Sequence, residues 1–186
     1  VPTAVSVDPN MKYFAYGTSN GDGGFSIYDY QTLEPIYTQK DKSQILCINF
    51  SSNSKYCFVL NIDTRTLSII DCETKTLVKS KKFDLEFSHF SVHPNNEYIV
   101  LSGGATGIQL YNWKTDASEM INLNVLTFQV EFTNDGNGIG VTSRGIDCKV
   151  LKIKILIFRT YLLLEIQTLQ MINMKTIILL PIQKPI

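Results

Sequence analysis

The sequence predicts an all-β chain of about three and a half copies of one four-stranded antiparallel unit, followed by an Ile/Leu-rich tail of different character. Three observations carry that expectation. A residue pattern recurs about every 40 positions, and apolar alternations of strand length separate clusters of Asp, Pro, Asn and Gly. The charge splits as well: residues 1–150 hold 12 basic and 16 acidic side chains, net −4, whereas 151–186 hold 5 and 1, net +4.

The repeat is read directly from the residues. Val5-Ser-Val-Asp-Pro-Asn-Met-Lys-Tyr13 aligns with Ile48-Asn-Phe-Ser-Ser-Asn-Ser-Lys-Tyr56 and with Phe90-Ser-Val-His-Pro-Asn-Asn-Glu-Tyr98. Val130-Glu-Phe-Thr-Asn-Asp-Gly-Asn-Gly138 follows more loosely, and the anchors Tyr13, Tyr56, Tyr98 and Gly138 lie 43, 42 and 40 residues apart. A second anchor, Ser26-Ile-Tyr-Asp29, Ser68-Ile-Ile-Asp71 and Gln109-Leu-Tyr-Asn112, leads each time into a polar turn.

Each element follows from alternation bounded by turn chemistry. The first unit gives strands at 3–7, 13–17, 25–29 and 34–38, where Val, Phe, Tyr and Ile alternate with small or polar residues and Asp8-Pro9-Asn10 makes the first turn. The second gives 45–50, 56–60, 67–71 and 76–80, and the third 87–92, 98–102, 107–111 and 119–123. Residues 125–132, 138–142 and 145–150 begin a fourth. The glycine clusters at 21–24 and 103–107 fall between second and third strands, where glycine supplies tight turns, and none opens a helix as a phosphate-binding loop would.

A unit of this length that opens apolar-x-apolar-x-Pro-Asn and continues to Ser-Ile-Tyr-Asp resembles the WD40 repeat and its β-propeller relatives over residues 3–150. The resemblance implies a partial β-propeller, with each unit supplying three strands of one blade and the outer strand of the next. It implies structural turn roles for Asp22, Asp29 and Asp71. The family's Trp-Asp pair stands here as Tyr28-Asp29, Ile70-Asp71 and Tyr111-Asn112, and there is no Gly-His pair. A propeller closes with about four to eight blades, so an arc this short leaves its ring for further blades or a partner chain to complete.

The tail, 151–186, has 9 Ile and 8 Leu but no Gly, Ala or Asp, and Lys152, Lys154, Arg159, Glu165 and Lys175 interrupt it too often for a membrane span. Three readings stay open for it: sequence unrelated to the fold, strands or a helix packing on the arc, and a basic interfacial segment.

Chemistry has few carriers. His89 and His93 are the only histidines, and His93-Pro94 occupies the turn that reads Asp8-Pro9 in the first unit. Cys47, Cys57, Cys72 and Cys148 show neither a CxxC pair nor a disulfide-scaffold spacing, and read as free thiols of a reducing compartment. The sequon at Asn49 lies in an apolar alternation and is read as silent, and the chain, which opens on Val1 without a signal-peptide pattern, reads as a fragment. Lys79, Lys81 and Lys82 form the densest basic cluster, read as a solvated mixed-charge loop with phosphate contact as the sharper alternative. Balanced charge, and aromatics that keep the repeat period, argue against a nucleic-acid surface.

The expected function is a non-catalytic module without metal or cofactor that binds other proteins through loops at one end, in a cytosolic or cytoskeletal assembly, ciliary ones included. Loops at 18–24, 61–66 and 103–106 join those at 39–44 and 81–86 there, with Lys40, Asp63, Arg65 and Lys82 as contact residues. The alternatives are a fragment of a propeller enzyme with a central-channel site, and a degenerate gene-model fragment without independent function.

Overall fold

The structure, a computed structural model, describes residues 2–19, 23–40, 44–103, 106–143, 149–158, 161–168 and 175–181. The strands in chain order are β1 (Pro2–Val7), β2 (Tyr13–Thr18), β3 (Gly24–Asp29), β4 (Pro35–Lys40), β5 (Ile45–Phe50), β6 (Tyr56–Asn61), β7 (Thr66–Asp71) and β8 (Thr76–Lys82). They continue with β9 (His89–Val92), β10 (Tyr98–Ser102), β11 (Gly107–Asn112), β12 (Ser118–Asn122), β13 (Thr127–Phe132) and β14 (Gly138–Ser143). β15 (Lys149–Phe158), β16 (Tyr161–Thr168) and β17 (Lys175–Pro181) complete them.

Four antiparallel sheets result: β1-β2-β3-β4, β5-β6-β7-β8, β9-β10-β11-β12 and β13-β14-β15-β16-β17. The expected exchange of an outer strand between neighbours does not occur, because each unit folds in chain order as a complete sheet. The reason is the turn between third and fourth strands. Asp29 Oδ1 accepts the backbone N–H groups of Gln31 and Thr32 at 2.9 and 2.8 Å, Asp71 Oδ1 those of Glu73 and Thr74 at 2.9 and 3.0 Å, and Asn112 Oδ1 those of Lys114 and Thr115 at 3.0 and 3.1 Å. A side chain that takes two successive backbone donors curls the chain, so the fourth strand returns beside the third. Leu33, Lys75 and Asp116 then close the turn at positive φ of 58°, 58° and 62°. Asp22 lies outside the described residues.

The turn between first and second strands repeats four times. Asp8, Ser51, His93 and Thr133 each donate a backbone N–H across it, to Tyr13, Tyr56, Tyr98 and Gly138, and each side chain accepts a second N–H inside the turn. Met11, Ser54, Asn96 and Gly136 take positive φ of 53°, 61°, 61° and 71°. The fourth unit, loosest in sequence, keeps this geometry.

Sheet packs on sheet through three cores. Ala15, Phe25 and Ile27 of the first sheet meet Ile48, Val59 and Ile70 of the second. Phe58, Leu67 and Ile69 on the other face of the second meet Phe90, Leu101, Tyr111 and Trp113 of the third. Val100, Ile108 and Leu110 meet Val130, Ile139 and Val141 of the fourth. Period-two alternation thus buries both faces of the middle sheets, which is why their strands read as nearly continuous apolar runs.

The tail's backbone joins the fourth sheet. β15 pairs with β14 from Lys149 to Lys152 and with β16 from Leu151 to Phe158, and it crosses residue 150, where the composition changes. β-branched Val150, Ile153, Ile155 and Ile157 suit an extended backbone.

Candidate functional site

The two ends of the sheets differ in how they are finished. At one end the tight first turns form a ladder between neighbours. Asn10 Nδ2 donates to Ser54 Oγ at 2.6 Å, the Ser52 backbone N–H donates to Asn96 Oδ1 at 2.8 Å, and His93 Nε2 lies 3.1 Å from the Gly136 carbonyl. His93 Nδ1 accepts the Asn95 N–H at 3.0 Å, so the proton sits on Nε2, which donates to Gly136. His93 is a turn residue that ties the third sheet to the fourth.

The other end carries the loops between second and third strands and the connections from sheet to sheet, and there the four residues named from sequence are found. Lys40 ends β4 opposite Gly24, and Lys82 ends β8 opposite Thr66; both are exposed. Asp63 and Arg65 lie in the loop between β6 and β7 and are occupied. Asp63 Oδ2 accepts the Gln44 N–H at 2.7 Å, joining that loop to the connection that enters β5. Arg65, at a positive φ of 57°, donates to the Asp84 carbonyl at 3.0 Å and to Glu86 Oε1 at 2.9 Å. Asp63, Arg65 and Lys82 therefore share one end of the second sheet, and Lys40 takes the same end of the first. The loop that Arg65 grips is pinned from below by Phe83 and Phe87, 5% and 2% exposed, whose rings meet edge to face at 5.5 Å.

Between the first and second sheets a cleft of about 210 Å³ opens, lined on one side by Phe25 and Gln39 and on the other by Asn61, Thr64, Thr66, Ser68 and Ser80 above Ile45, Val59 and Leu77. Sequence reading missed this cleft. Its signal was present in Thr64, Thr66 and Ser68, hydroxyls at spacing two, the last two on one face of β7 and the first in the loop that enters it. Gln39, immediately before Lys40, brings the cleft to the border of the loop end. It offers neutral hydrogen-bonding groups over an apolar floor, and so suits an uncharged polar ligand group or a peptide backbone.

The basic cluster is corrected by the structure. Lys79, Lys81 and Lys82 belong to β8 rather than to a loop, and two of them are spent on one carboxylate. Lys79 Nζ donates to Asp116 Oδ2 and to the Trp113 carbonyl, each at 2.7 Å, and Lys81 Nζ lies 3.7 Å from Asp116 Oδ1. Buried Tyr111 donates its hydroxyl to the same oxygen at 2.8 Å. Bonding from Lys79 first, then from Tyr111, holds the Asp116 carboxyl below its ordinary range, while burial and the Asp116 contact push the Tyr111 phenol up. The group clamps the second sheet to the third.

The remaining candidates have structural surroundings. Asn49 spends its amide on the Phe90 carbonyl at 2.8 Å, across the second junction. Cys47, Cys57 and Cys72 are buried free thiols, and burial pushes Cys47 up to about 11 and Cys72 up to about 12. Cys148 lies outside the described residues. Among the described residues no three His, Cys, Asp or Glu side chains gather as a metal site would require, and no helix is long and apolar enough to cross a membrane.

Sheets that pack face to face in chain order around an arc define the architecture. The fold is propeller-like. No protein-family profile matches the sequence, and no curated protein matches it. Among solved structures, the chain is similar to one titled Kuenenia stuttgartiensis hydrazine synthase, at a TM-score of 0.69 and 16% identity. The alignment covers 83% of this chain and 46% of that one, so this chain spans less than half the length of the structure it matches. At that identity the likeness shows the fold, and one fold hosts many unrelated functions.

Proposed function

We propose that this chain is a non-catalytic scaffold of the WD40-like propeller type, which binds other proteins through its loop end within a larger cytosolic or cytoskeletal assembly, ciliary ones included. The observation that carries this reading is the contrast between the ends. One is closed by turns bonded to each other, whereas the other presents exposed Lys40 and Lys82 at strand ends, next to loops braced by Asp63, Arg65, Phe83 and Phe87 and beside a hydroxyl-lined cleft. Rigid strands that hold braced loops lower the ordering cost of binding a partner. The repeat pattern supports the WD40-like assignment, since Asp29, Asp71 and Asn112 perform one turn function at the repeat period. Three buried thiols suit a reducing compartment.

The test is quantitative affinity capture from source-cell extract, comparing wild type, Lys40→Glu with Lys82→Glu at the loop end, and Lys12→Glu at the turn end. A set of proteins lost with the loop-end pair and retained with Lys12→Glu is expected. Capture that neither change alters would refute the loop end as the binding surface.

A further inference from the structure

The first two junctions carry different amounts of bulk at matching positions of the repeat. At the second, Phe83 and Phe87, from the connection between β8 and β9, share one core with Leu67, Leu101 and Tyr111, and the Phe83 ring meets Tyr111 edge to face at 5.4 Å. At the first, the equivalents of Leu67, Leu101 and Tyr111 are Phe25, Val59 and Ile70, and the connection between β4 and β5 reads Asp41-Lys42-Ser43-Gln44, without an apolar side chain. Across β7 and β8, Ser68 stands opposite Ser80, where the third sheet sets Gln109 opposite Met120. The cleft of about 210 Å³ falls where this bulk is missing, and its floor of Phe25, Ile45 and Val59 continues into the buried core.

Its walls hold unspent hydrogen-bonding groups. In the first sheet the matching pair, Ser26 and Thr38, bond each other at 3.1 Å. Among the described residues the Ser68 and Ser80 hydroxyls have no such partner, although Ser68 is only 7% exposed and lines the cleft. The Gln39 carboxamide, equally unengaged there, lines it from the first sheet and can both donate and accept. Hydroxyls and an amide turned into a cleft keep their donors and acceptors for what enters it.

We propose that the cleft binds an aromatic side chain of a partner protein, carried on an extended segment. The ring takes the place that Phe83 holds at the second junction, above Phe25, Ile45 and Val59, and Ser68, Ser80 and Gln39 bond the peptide groups beside it. The inference rests on the protein-binding reading above and names the chemistry that a partner must show. Three observations select this occupant. The chain itself fills the equivalent space with phenylalanine from a connecting segment. Size agrees, since an apolar cavity of about 150 Å³ takes a benzene ring, and the larger cleft leaves room for adjoining peptide groups. No charged side chain is among the described residues that line it, so a charged ligand side chain would lose water without gaining a partner.

The probe is N-acetyl-phenylalanine N-methylamide, which joins one ring to two peptide groups, titrated into the 186-residue chain while the methyl signals of Ile45, Val59 and Leu77 are followed by NMR. Saturable shifts with a Kd of about 1 mM are expected for a ligand of this size, and the alanine analogue should bind about tenfold more weakly or worse. Ser80→Phe, at an exposed strand position, puts the missing ring on the protein and should abolish binding while circular dichroism stays unchanged. Ser68→Ala should weaken binding about threefold to tenfold. No saturation at concentrations tenfold above the expected Kd, equal binding of the two analogues, tighter binding of methyl glucoside, or indifference to Ser80→Phe would overturn the proposal. If the probe fails while capture still depends on Lys40 and Lys82, the cleft falls alone; if the probe binds while capture ignores those lysines, the loop end falls alone.

Discussion

The first and second inter-sheet junctions are built from repeat-equivalent positions yet solve the packing problem differently. At the first, Ala15 and the aliphatic Ile27, Ile45, Val59 and Ile70 pack beside Phe25 and Phe50. Ala15 stands where the second sheet has Phe58, Gly17 makes room for Ile45, and a hydroxyl-lined cleft of about 210 Å³ remains. At the second, aromatic residues fill the space. Trp113 meets Tyr56 and Phe58 edge to face at 5.0 and 6.1 Å, Phe83 meets Tyr111 at 5.4 Å, and the Lys79–Asp116–Tyr111 clamp crosses its rim. The lesson is that the repeat fixes where a contact falls and leaves its chemistry free.

The largest way to break that contrast is Phe58→Ala, which gives the second junction the residue found at the first. Phe58 is fully buried, so a loss of about 3–5 kcal/mol is expected in urea unfolding followed at Trp113. Gly17→Ala attacks the first junction from the other side. The added Cβ would collide with Ile45, so about 1–3 kcal/mol should be lost, and Ile45→Ala in the same chain should cost less than the two single changes predict.

Smaller still is Asp71→Ala, which removes the acceptor for two turn N–H groups and should cost about 1–2 kcal/mol by thermal unfolding. Asp116→Asn sharpens the picture of the clamp. Because the folded carboxyl is held below its ordinary value of 3.8, its contribution is present above that value and lost as pH falls through the folded pKa. Wild type should therefore exceed Asp116→Asn in stability at neutral pH, with the gap closing below about pH 4. The smallest expected effect is none: Cys57 and Cys72 at the first junction and Cys47 at the second should ignore a thiol reagent at pH 8 until the chain unfolds. Early modification of the first pair alone would show that the first junction opens independently.

Much of the fold was legible. Strand positions followed from period-two alternation, and turns from Asp, Pro and Asn at fixed offsets, because both are local steric and hydrogen-bonding preferences. The fourth unit was legible only loosely, since Gly138 replaces the tyrosine anchor, yet its turn keeps the bonds that Thr133 makes to Gly138. The candidate site was less legible. Lys79 and Asp116 are 37 residues apart, Asp63 and Gln44 19 apart, and His93 and Gly136 43 apart. None of these pairs leaves a local trace, because each forms only when one sheet is laid on another.

The sequence by itself determined the all-β class, the period and the strand and turn positions, because these depend on neighbours within a few positions along the chain. Tertiary structure alone decided that each unit closes its own sheet, that β15 runs across the compositional break, that Lys79 and Lys81 serve as a clamp, and that Val5 and Val7 face outward where Ile48 and Phe50 are buried. Identical local patterns acquire different roles according to what packs against them, and packing is set by units some 40 residues away.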